Sequence, residues 1–414
     1  MNIPVLLKRF LLYVPNNLKI KVIHRNYTTV LKNLQKDFGK RKLKVCFFST
    51  ENSKWVYQSL YKNFENSEYF EPIVIVTLNR NYALTDLKKL EDNFNFFKSN
   101  NMNVQYGFKD NKHIPVDKFN PDIVFLEEPW DIASEQDVYN ISKCALCCYC
   151  SYGSGTTNGR NEYNSRVFKQ VWKYFLDNNV VENVLTSHGV KKRNLVVTGS
   201  IKLDAYRDEI DKKNQVWQTD NFRIIYAPHF SFSKNSILKF GTFDKYYKIF
   251  LDFAKSHPEI EFVFKPHPNL KKEIIKEKLM SENEAEKYYL EWKNLKNTHL
   301  YEKGNYFDIF KGSDMMVTDC NSFLTEYLPT QKPLLQLISS KSVGLNDYGK
   351  EISQGYYKIH SIEELQNTLN EIIFQKHDIL SEKRKNCLTK LIIPKQGVSQ
   401  EIFNIITKEL QVKL

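Results

Sequence analysis

Two histidines in the second half of the chain each follow an apolar run that reads as a buried strand. The run YAPHF contains His229, and the run FVFKPHPNL delivers Lys265 and His267 to a loop whose backbone is fixed by two prolines. Histidines held at neighbouring strand ends can transfer protons or donate hydrogen bonds to a diphosphate. We therefore expect His267 and His229 to act in catalysis, with Lys265 beside the phosphates of a nucleotide.

A third strand end in the same half has the pattern of a phosphate site. The run SDMMVTDCNSFLTEYLPTQKPLL reads as a strand at 315–317, a short loop and a helix, so free backbone N–H groups and the helix dipole would point beyond the strand. Thr318, Asn321 and Ser322 would add side-chain donors. The carboxylate of Asp319 would repel phosphate, so we expect it to fix the loop by accepting backbone N–H groups. An N-capped helix without a ligand is the structural alternative.

Glu326 lies one helical turn beyond Ser322, where its carboxylate could accept both hydroxyls of a ribose. The alternative is a surface glutamate without a ligand. The residues expected to bind the nucleotide donor are therefore Lys265, Thr318, Asp319, Asn321, Ser322 and Glu326.

The first half of the chain offers carboxylates and a glycine-rich loop after two further apolar runs. EEPWD places Glu128 and Asp131 just past one strand, and SYGSGTTN places Tyr152 and Gly153 past the next. Glycine-rich loops allow the backbone to approach a substrate closely, so Tyr152 and Gly153 are expected on the acceptor side. Either carboxylate is a candidate for the base that deprotonates an acceptor hydroxyl. Solvated loop residues are the alternative interpretation.

The elements that must hold these residues alternate between strands and helices in both halves. The runs KVCFFST, PIVIVTL, DIVFLEEPWD, CALCCYC and NLVVTGS are followed by a restart at FRIIYAPHF. This order predicts an α/β fold with two Rossmann-like domains whose parallel sheets face a central cleft. We expect a basic N-terminal segment at 1–44, an acceptor domain at 45–205, a nucleotide-donor domain at 206–398 and a last helix at 399–414 that could pack back on the first domain.

The positive charge of the chain is concentrated at its N-terminus. Segment 1–44 holds 11 Lys and Arg residues against one acid, whereas the whole chain has a net charge of +12. The apolar stretches of this segment are too short to span a bilayer, and basic residues continue where a signal peptide would have a cleavage site. Two interpretations stay open, a membrane-surface anchor and an ordinary helix that packs on the first domain. Nucleic acid is not an expected partner, because the body of the chain lacks a basic stripe with interleaved aromatic residues.

The seven cysteines have no spacing typical of a disulfide framework, and a reducing cytoplasm fits them best. The cluster CALCCYC lies in an apolar run without a histidine pair, so we interpret it as part of a buried strand and expect no metal.

YAPHF, FKPHPNL, VVTGSIKLD and the block GNYFDIFKGSDMMVTDCNSFLTEYLPTQKPLL together resemble the CDP-glycerol glycerophosphotransferase family, over roughly residues 120 to 340. The resemblance implies a metal-independent GT-B enzyme without a cofactor. Such an enzyme moves glycerol phosphate, or a related polyol phosphate, from a CDP carrier to a teichoic-acid-like or capsule polymer. From the basic N-terminus, which would meet the lipid surface, we expect a location at the inner face of the cell membrane.

The resemblance also assigns roles to single residues. His267 matches the family histidine at the donor phosphates, and Asn321 and Ser322 match a Ser-Ser pair that holds them. Tyr152-Gly153 stands where family members commonly have His-Gly, and His229-Phe230 replaces the usual aromatic-arginine pair after YAP. The first departure leaves the catalytic base open.

Three other functions remain compatible with the sequence. A GT-B glycosyltransferase could use a nucleotide sugar in capsule or lipooligosaccharide synthesis, and a nucleotide-sugar epimerase could have the same fold without needing an acceptor. A non-catalytic, membrane-docked partner would account for the missing His-Gly.

Overall fold

The computed structural model describes residues 5–83, 86–158, 163–209, 216–302 and 305–411, with side chains from residue 17 onward. Its contacts divide the chain into two compact units. Unit 1 comprises Met1–Tyr152, Arg160–Asp204 and Ile393–Leu414, and unit 2 comprises Gly153–Gly159 and Ala205–Ile392. The chain therefore crosses between the units more than once.

Unit 1 is built on a parallel sheet with helices between its strands. Its elements are α1 (Val5–Asp37), β1 (Leu43–Ser49), α2 (Gln58–Glu65), β2 (Phe70–Val76), α3 (Asp86–Ser99), β3 (Val104–Tyr106), β4 (Phe108–Lys109), β5 (Lys112–His113), β6 (Ile123–Leu126), α4 (Val138–Ser142), β7 (Leu146–Cys150), β8 (Lys173–Leu176), α5 (Asn179–Ser187) and β9 (Leu195–Val197). The strand order is β3-β2-β1-β6-β7-β8-β9, and β4 pairs separately with β5. Its central strands are buried apolar runs, as sheets covered on both faces require.

The cysteine-rich run forms β7, and all seven cysteines of the chain are free. Cys147, Cys148 and Cys150 are buried in the unit 1 core. Burial raises the pKa of each of these three thiols, so they behave as small apolar side chains. The interpretation of CALCCYC as a buried strand is confirmed.

Helix α1 packs on unit 1 through one stripe of its surface. Ile23, Tyr27, Val30 and Leu34 repeat at helical spacing and lie in the core, while Lys21 and other basic residues face outward. Over residues 17–37 the domain-packing interpretation of the basic segment is therefore confirmed. The side chains of residues 5–16 lie outside the described part, and lipid binding stays a prediction. Among the described residues, no helix combines the length and apolar character needed to cross a bilayer.

Unit 2 repeats the alternation with a second parallel sheet. Its elements are β10 (Phe222–Ala227), α6 (Phe243–Ser256), β11 (Ile260–Phe264), α7 (Leu270–Lys276), α8 (Glu282–Asn294), β12 (Thr298–Leu300), α9 (Tyr306–Gly312), β13 (Met315–Thr318), α10 (Asn321–Glu326), β14 (Leu334–Leu337), α11 (Asp347–Ile352), β15 (Tyr357–Ile359), α12 (Ile362–Leu369) and α13 (Ser381–Leu388). The strand order is β12-β11-β10-β13-β14-β15. The predicted α/β class, with one parallel sheet in each half, is confirmed.

The last helix, α14 (Val398–Gln411), belongs to unit 1. The backbone N–H groups of Val398 and Ser399 donate to the two carboxylate oxygens of buried Asp204, at 2.7 and 2.6 Å. Ile402, Ile406 and Leu410 of this helix are buried in the unit 1 core. The C-terminal part of unit 1 begins at Ile393, a few residues before the boundary that the sequence suggested.

Candidate functional site

The sheet of unit 2 places three of the predicted motifs side by side. β10, which precedes His229, pairs on one side with β11, which precedes Lys265 and His267, and on the other side with β13. The order of the strands along the chain reverses between β10 and β13. In open parallel sheets this reversal opens a crevice beyond the carboxyl ends of the strands, where ligands bind. The candidate site is therefore the set of loops that follow β10, β11 and β13.

Asp319, in the loop after β13, connects that loop to the loop after β10. One of its carboxylate oxygens accepts the backbone N–H of His229 at 2.6 Å, and the other accepts the N–H and the hydroxyl of Thr242, at 2.6 and 2.9 Å. Burial raises the pKa of Asp319 to about 7, although these hydrogen bonds lower it. As the sequence led us to expect, Asp319 fixes the loop. The chain itself therefore occupies both carboxylate oxygens of Asp319.

His229 is 7% exposed and its ring orientation is set by Ser231. The backbone N–H of Ser231 donates to Nδ1 of His229 at 3.2 Å, and the Ser231 hydroxyl lies 2.7 Å from the same nitrogen. The Ser231 hydroxyl oxygen also accepts the N–H groups of Phe240 and Gly241, so its proton is directed to Nδ1. In the neutral ring the proton is therefore on Nε2.

Burial, with a smaller effect from the neighbouring His267, lowers the pKa of His229 to about 3. The ring is thus neutral at physiological pH. A neutral imidazole with Nε2–H can donate a hydrogen bond, and a ring with this lowered pKa is a poor proton acceptor at physiological pH.

His267 adopts the same arrangement on the next loop. Its Nδ1 accepts the backbone N–H of Asn269 at 3.1 Å, which again leaves the proton of a neutral ring on Nε2. Its own N–H donates to the carbonyl of Pro228 at 3.1 Å. The ring centroids of His267 and His229 lie 4.8 Å apart, and Phe230 contacts both rings. The structure thus brings together the two histidines that the sequence singled out.

Lys265 lies over two aromatic rings of the same site. Its ammonium nitrogen is 4.8 Å from the ring centroid of Tyr306 and 5.0 Å from that of Phe323. Tyr306 in turn donates its hydroxyl to a carboxylate oxygen of Glu326 at 2.7 Å. Glu326 is 1% exposed, so the interpretation as a surface glutamate is wrong. Tyr306, which the sequence analysis did not single out, links Lys265 to Glu326.

The loop after β13 differs from the sequence prediction in two respects. The hydroxyl of Thr318 donates to the carbonyl of Ala227 at 2.6 Å and accepts the N–H of Cys320, so it is not a phosphate donor. Helix α10 has only six residues, Asn321–Glu326, which limits the dipole we expected at its N-terminus. The side chains of Asn321 and Ser322 make no hydrogen bond with the described part of the chain. They remain the candidates for contacting phosphate.

The glycine-rich loop joins unit 2 at this site, which the sequence did not reveal. The hydroxyls of Ser154 and Thr156 lie 2.9 Å apart, and both approach the carbonyl of Asn321, at 3.5 and 3.4 Å. Asn346 donates its side-chain amide to Gly155 and its backbone N–H to Thr156. Gly153 was expected in the acceptor domain, but contacts place 153–159 in unit 2 and Tyr152 in unit 1.

A glycine in α11 makes this docking possible. A Cβ atom on Gly349 would lie 2.4 Å from the carbonyl oxygen of Thr156, so no larger residue fits without moving the loop. Ser154 and Thr156 are buried and approach the carbonyl of Asn321, whose side chain is a candidate for contacting phosphate. The glycine-rich loop therefore supports the position of Asn321.

In unit 1, the carboxylates proposed as bases lie after β6. Buried Glu127 accepts the backbone N–H groups of Thr50 and Glu51, at 2.8 and 3.0 Å, and so ties the β1 loop to the β6 loop. Burial raises the pKa of Glu127 to about 7, although these hydrogen bonds lower it. Glu128 forms an ion pair with Lys54 at 2.9 Å. Burial lowers the pKa of Lys54, but the hydrogen bond and charge of Glu128 outweigh this effect and raise it.

Asp131 differs from both glutamates because its side chain is exposed and makes no ion pair with the described residues. Its backbone carbonyl accepts the N–H of Arg80 at 2.8 Å, which fixes the loop. Of the two predicted bases, Asp131 is therefore the one whose carboxylate no group in the described structure occupies. Within that same part of the chain, no cluster of three or more His, Cys, Asp or Glu side chains is placed to hold a metal ion.

Solved structures similar to this one show the same architecture of two Rossmann-like domains, the GT-B type. A putative UDP-N-acetylglucosamine 2-epimerase from Listeria monocytogenes is 14% identical with a TM-score of 0.61, and covers 89% of this chain and 97% of its own. MnaA from S. aureus in complex with UDP is 15% identical with a TM-score of 0.57, and covers 89% and 98%. The Neisseria meningitidis UDP-GlcNAc 2-epimerase bound to UDP-GlcNAc is 14% identical with a TM-score of 0.57, and covers 88% and 99%. At these identities the similarity establishes the fold.

No curated protein matches the sequence significantly. A family model does match, over residues 153–352, which contain both histidines, Asn321 and Ser322. The matched family is CDP-Glycerol:Poly(glycerophosphate) glycerophosphotransferase, and this match over just under half of the chain confirms the resemblance inferred from the sequence.

Proposed function

We propose that this protein transfers glycerol phosphate, or a related polyol phosphate, from a CDP-activated donor to a cell-surface polymer. The observation that carries the proposal is the coincidence of the family match with the site. Residues 153–352 include the loops after β10, β11 and β13, where His229, His267 and Ser322 are placed at the sheet reversal of unit 2. That crevice is the expected position of the nucleotide and its diphosphate.

The chemistry follows from the groups that the site supplies. An acceptor hydroxyl attacks the phosphorus next to glycerol, the bond from that phosphorus to the bridging oxygen breaks, and CMP leaves. Negative charge grows on the diphosphate, where the Nε2–H groups of His229 and His267 and the ammonium of Lys265 would stabilise it. The proton of the acceptor hydroxyl passes to a base, for which we propose Asp131 because Glu128 is paired with Lys54.

The first experiment is thermal stabilisation of the full chain by a panel of CDP-glycerol, CDP-ribitol, CMP-sugars and UDP-sugars, followed by detection of released CMP. We expect CDP-glycerol or CDP-ribitol to raise the unfolding temperature, because a ligand that binds only the folded state stabilises it. At a concentration about 100 times its Kd, such a ligand contributes about 2.7 kcal/mol. Stabilisation by a UDP-sugar alone would contradict the proposed donor.

A glycosyltransferase that uses a nucleotide sugar is the second candidate. It is favoured by the similar fold of the S. aureus and Neisseria meningitidis proteins, which bind UDP and UDP-GlcNAc. The panel separates the two candidates, since a glycosyltransferase would be stabilised by its sugar nucleotide and would not release CMP from CDP-glycerol. Stabilisation without any turnover would support a non-catalytic partner instead.

We further propose that the enzyme works on a polymer or lipid-linked acceptor at the cytoplasmic face of a membrane. The support is the charge of segment 1–44 together with the exposed positions of Leu18 and Val22 on α1, which are 62% and 37% accessible. The full chain should bind vesicles containing phosphatidylglycerol and dissociate as salt rises. Equal binding to neutral phosphatidylcholine vesicles, or no binding to either, would contradict this part of the proposal.

A further inference from the structure

Unit 1 contains a cleft of about 260 Å³ that the proposed donor chemistry does not use. We call it the cationic cleft, and its lining includes Lys19, Arg80, Trp130, Asp137 and Arg166. Three of these five residues are cations and one is an acid. A concave site with this excess of positive charge attracts an anion.

Arg80 is held in place by the loop that follows β6. Its Nε and one terminal nitrogen donate to the carbonyl of Ile132, at 3.3 and 3.1 Å. Its backbone N–H donates to the carbonyl of Asp131, and Asn79 forms an antiparallel bridge with Ile132. The second terminal nitrogen has no partner in the described structure. The guanidinium is thus oriented by the protein and keeps donors for a ligand.

Among the described residues that line the cleft, Asp137 is the one acid, and it compensates only part of this charge. Asp137 lies 3.5 Å from the ammonium of Lys19, and it also accepts the N–H of Asn140 as the N-cap of α4. The side chain of Arg166 is exposed, and neither an ion pair nor a hydrogen bond joins it to another described residue. Arg80 and Arg166 therefore leave two cationic side chains for an anion.

Trp130 adds an apolar surface beside these charges. Its side chain is 37% exposed, while Tyr149 and Phe168 contact the indole edge-on, with ring centroids at 6.0 and 6.4 Å. The indole is thus fixed by packing and still open on one side. An aromatic surface next to guanidinium groups suits a ligand that combines C–H-rich sugar or polyol carbons with phosphate.

We propose that the cationic cleft binds the acceptor, through phosphate groups that the growing chain carries next to sugar or polyol units. Arg80 and Trp130 belong to the loops after β2 and β6, at the carboxyl edge of the unit 1 sheet, and Asp131 follows Trp130 directly. A phosphate held by Arg80 and Arg166 would place the adjoining unit near this carboxylate. This inference rests on the proposed function, because it assigns a binding site to the acceptor of that reaction.

The test measures acceptor binding without any donor. The probe is a synthetic glycerol phosphate trimer, titrated by calorimetry and by intrinsic fluorescence into the full chain, its Arg166→Gln and Trp130→Phe variants, and Lys32→Gln. Lys32 is exposed on α1 and is not part of the cleft lining, so Lys32→Gln is the control that also removes one positive charge. Glycerol and inorganic phosphate are titrated in parallel.

We expect the trimer to bind, inorganic phosphate to bind more weakly and glycerol not to bind. Arg166→Gln should weaken trimer binding at least about tenfold, because a charge-assisted contact is lost. Trp130→Phe should abolish the fluorescence change, and Lys32→Gln should alter neither readout. Absence of trimer binding, an unchanged affinity in Arg166→Gln, or phosphate binding as tight as the trimer would each overturn the inference.

Stabilisation by CDP-glycerol, measured on the same preparations, keeps the two proposals apart. If CDP-glycerol stabilises the protein while the trimer does not bind, the acceptor site fails and the donor assignment survives. If the trimer binds with the expected dependence on Arg166 while no CDP donor stabilises the protein, the cleft is supported and the proposed donor is wrong.

Discussion

His267→Ala should lower turnover with CDP-glycerol by about a hundredfold or more, because one preorganised donor to developing charge contributes about 3 to 4 kcal/mol. Two features of the site are the basis of this expectation. Asn269 and the Pro228 carbonyl fix the loop and ring of His267, so little reorganisation is needed during reaction. His229, whose pKa is lowered to about 3 by burial, stays neutral and cannot supply a compensating positive charge. The measurement is the rate of CMP release at saturating donor.

Two conservative variants distinguish the donor role from a loop-building role. Glutamine at position 267 can place its amide N–H near the position of Nε2, whereas asparagine can accept the N–H of Asn269 without reaching the diphosphate. We expect His267→Gln to keep much more activity than His267→Asn, which should resemble His267→Ala. Wild-type activity in His267→Asn would show that the ring only supports the loop.

The sequence predicted the site best where strong strands end in polar motifs. β10, β11 and β13 are long enough and apolar enough to be recognised, and parallel pairing then brings their following residues together at one edge. The neighbourhood of His229 and His267 could therefore be expected without a structure. The strands that the sequence did not indicate, such as β3, β12 and β15, have only three residues each and lie at or near sheet edges.

The roles of single polar residues were harder to predict because they depend on contacts between distant parts of the chain. Thr318 lost its proposed role because its hydroxyl faces the carbonyl of Ala227 on the adjacent strand. Glu128 is paired with Lys54, a residue that no local pattern connects to it. Tyr306 was recognised as part of the candidate site only from its hydrogen bond to Glu326. The spacing of residues along the chain predicts which strand or helix a residue belongs to. It does not predict which distant residue its side chain contacts.

The docking of the glycine-rich loop on unit 2 was missed for the same reason. Gly155, with φ of +61°, turns the chain where an L side chain would be strained, and Gly349 removes the Cβ that would strike Thr156. Both glycines are visible in the sequence, but their relation depends on the fold. The family match begins at residue 153, at the start of this loop, which agrees with its place beside the candidate donor site.

Asp319→Asn should lower both the stability of unit 2 and the activity, although the side chain keeps its shape. The carboxylate accepts from His229 on one oxygen and from Thr242 on the other, so an amide must turn an NH₂ group toward one of these donors. Leaving a buried donor unsatisfied costs about 1 to 3 kcal/mol, and a loss of about 3 kcal/mol is expected here. For a unit of this size, that corresponds to a drop of roughly 6–12 °C in the unfolding temperature.

The effect of Asp319→Asn on activity should exceed what lost stability explains, because the N–H of His229 is one of the displaced donors and the ring of His229 contacts His267. Calorimetric melting and CMP release measured well below the melting temperature separate the two effects. Asp347→Asn is the control, since Asp347 is exposed and its ion pair within the described part of the chain is a surface contact with Lys350. If Asp319→Asn melted and turned over like Asp347→Asn, Asp319 would not be the residue that joins the β10 and β13 loops, and the placement of both histidines would need another cause.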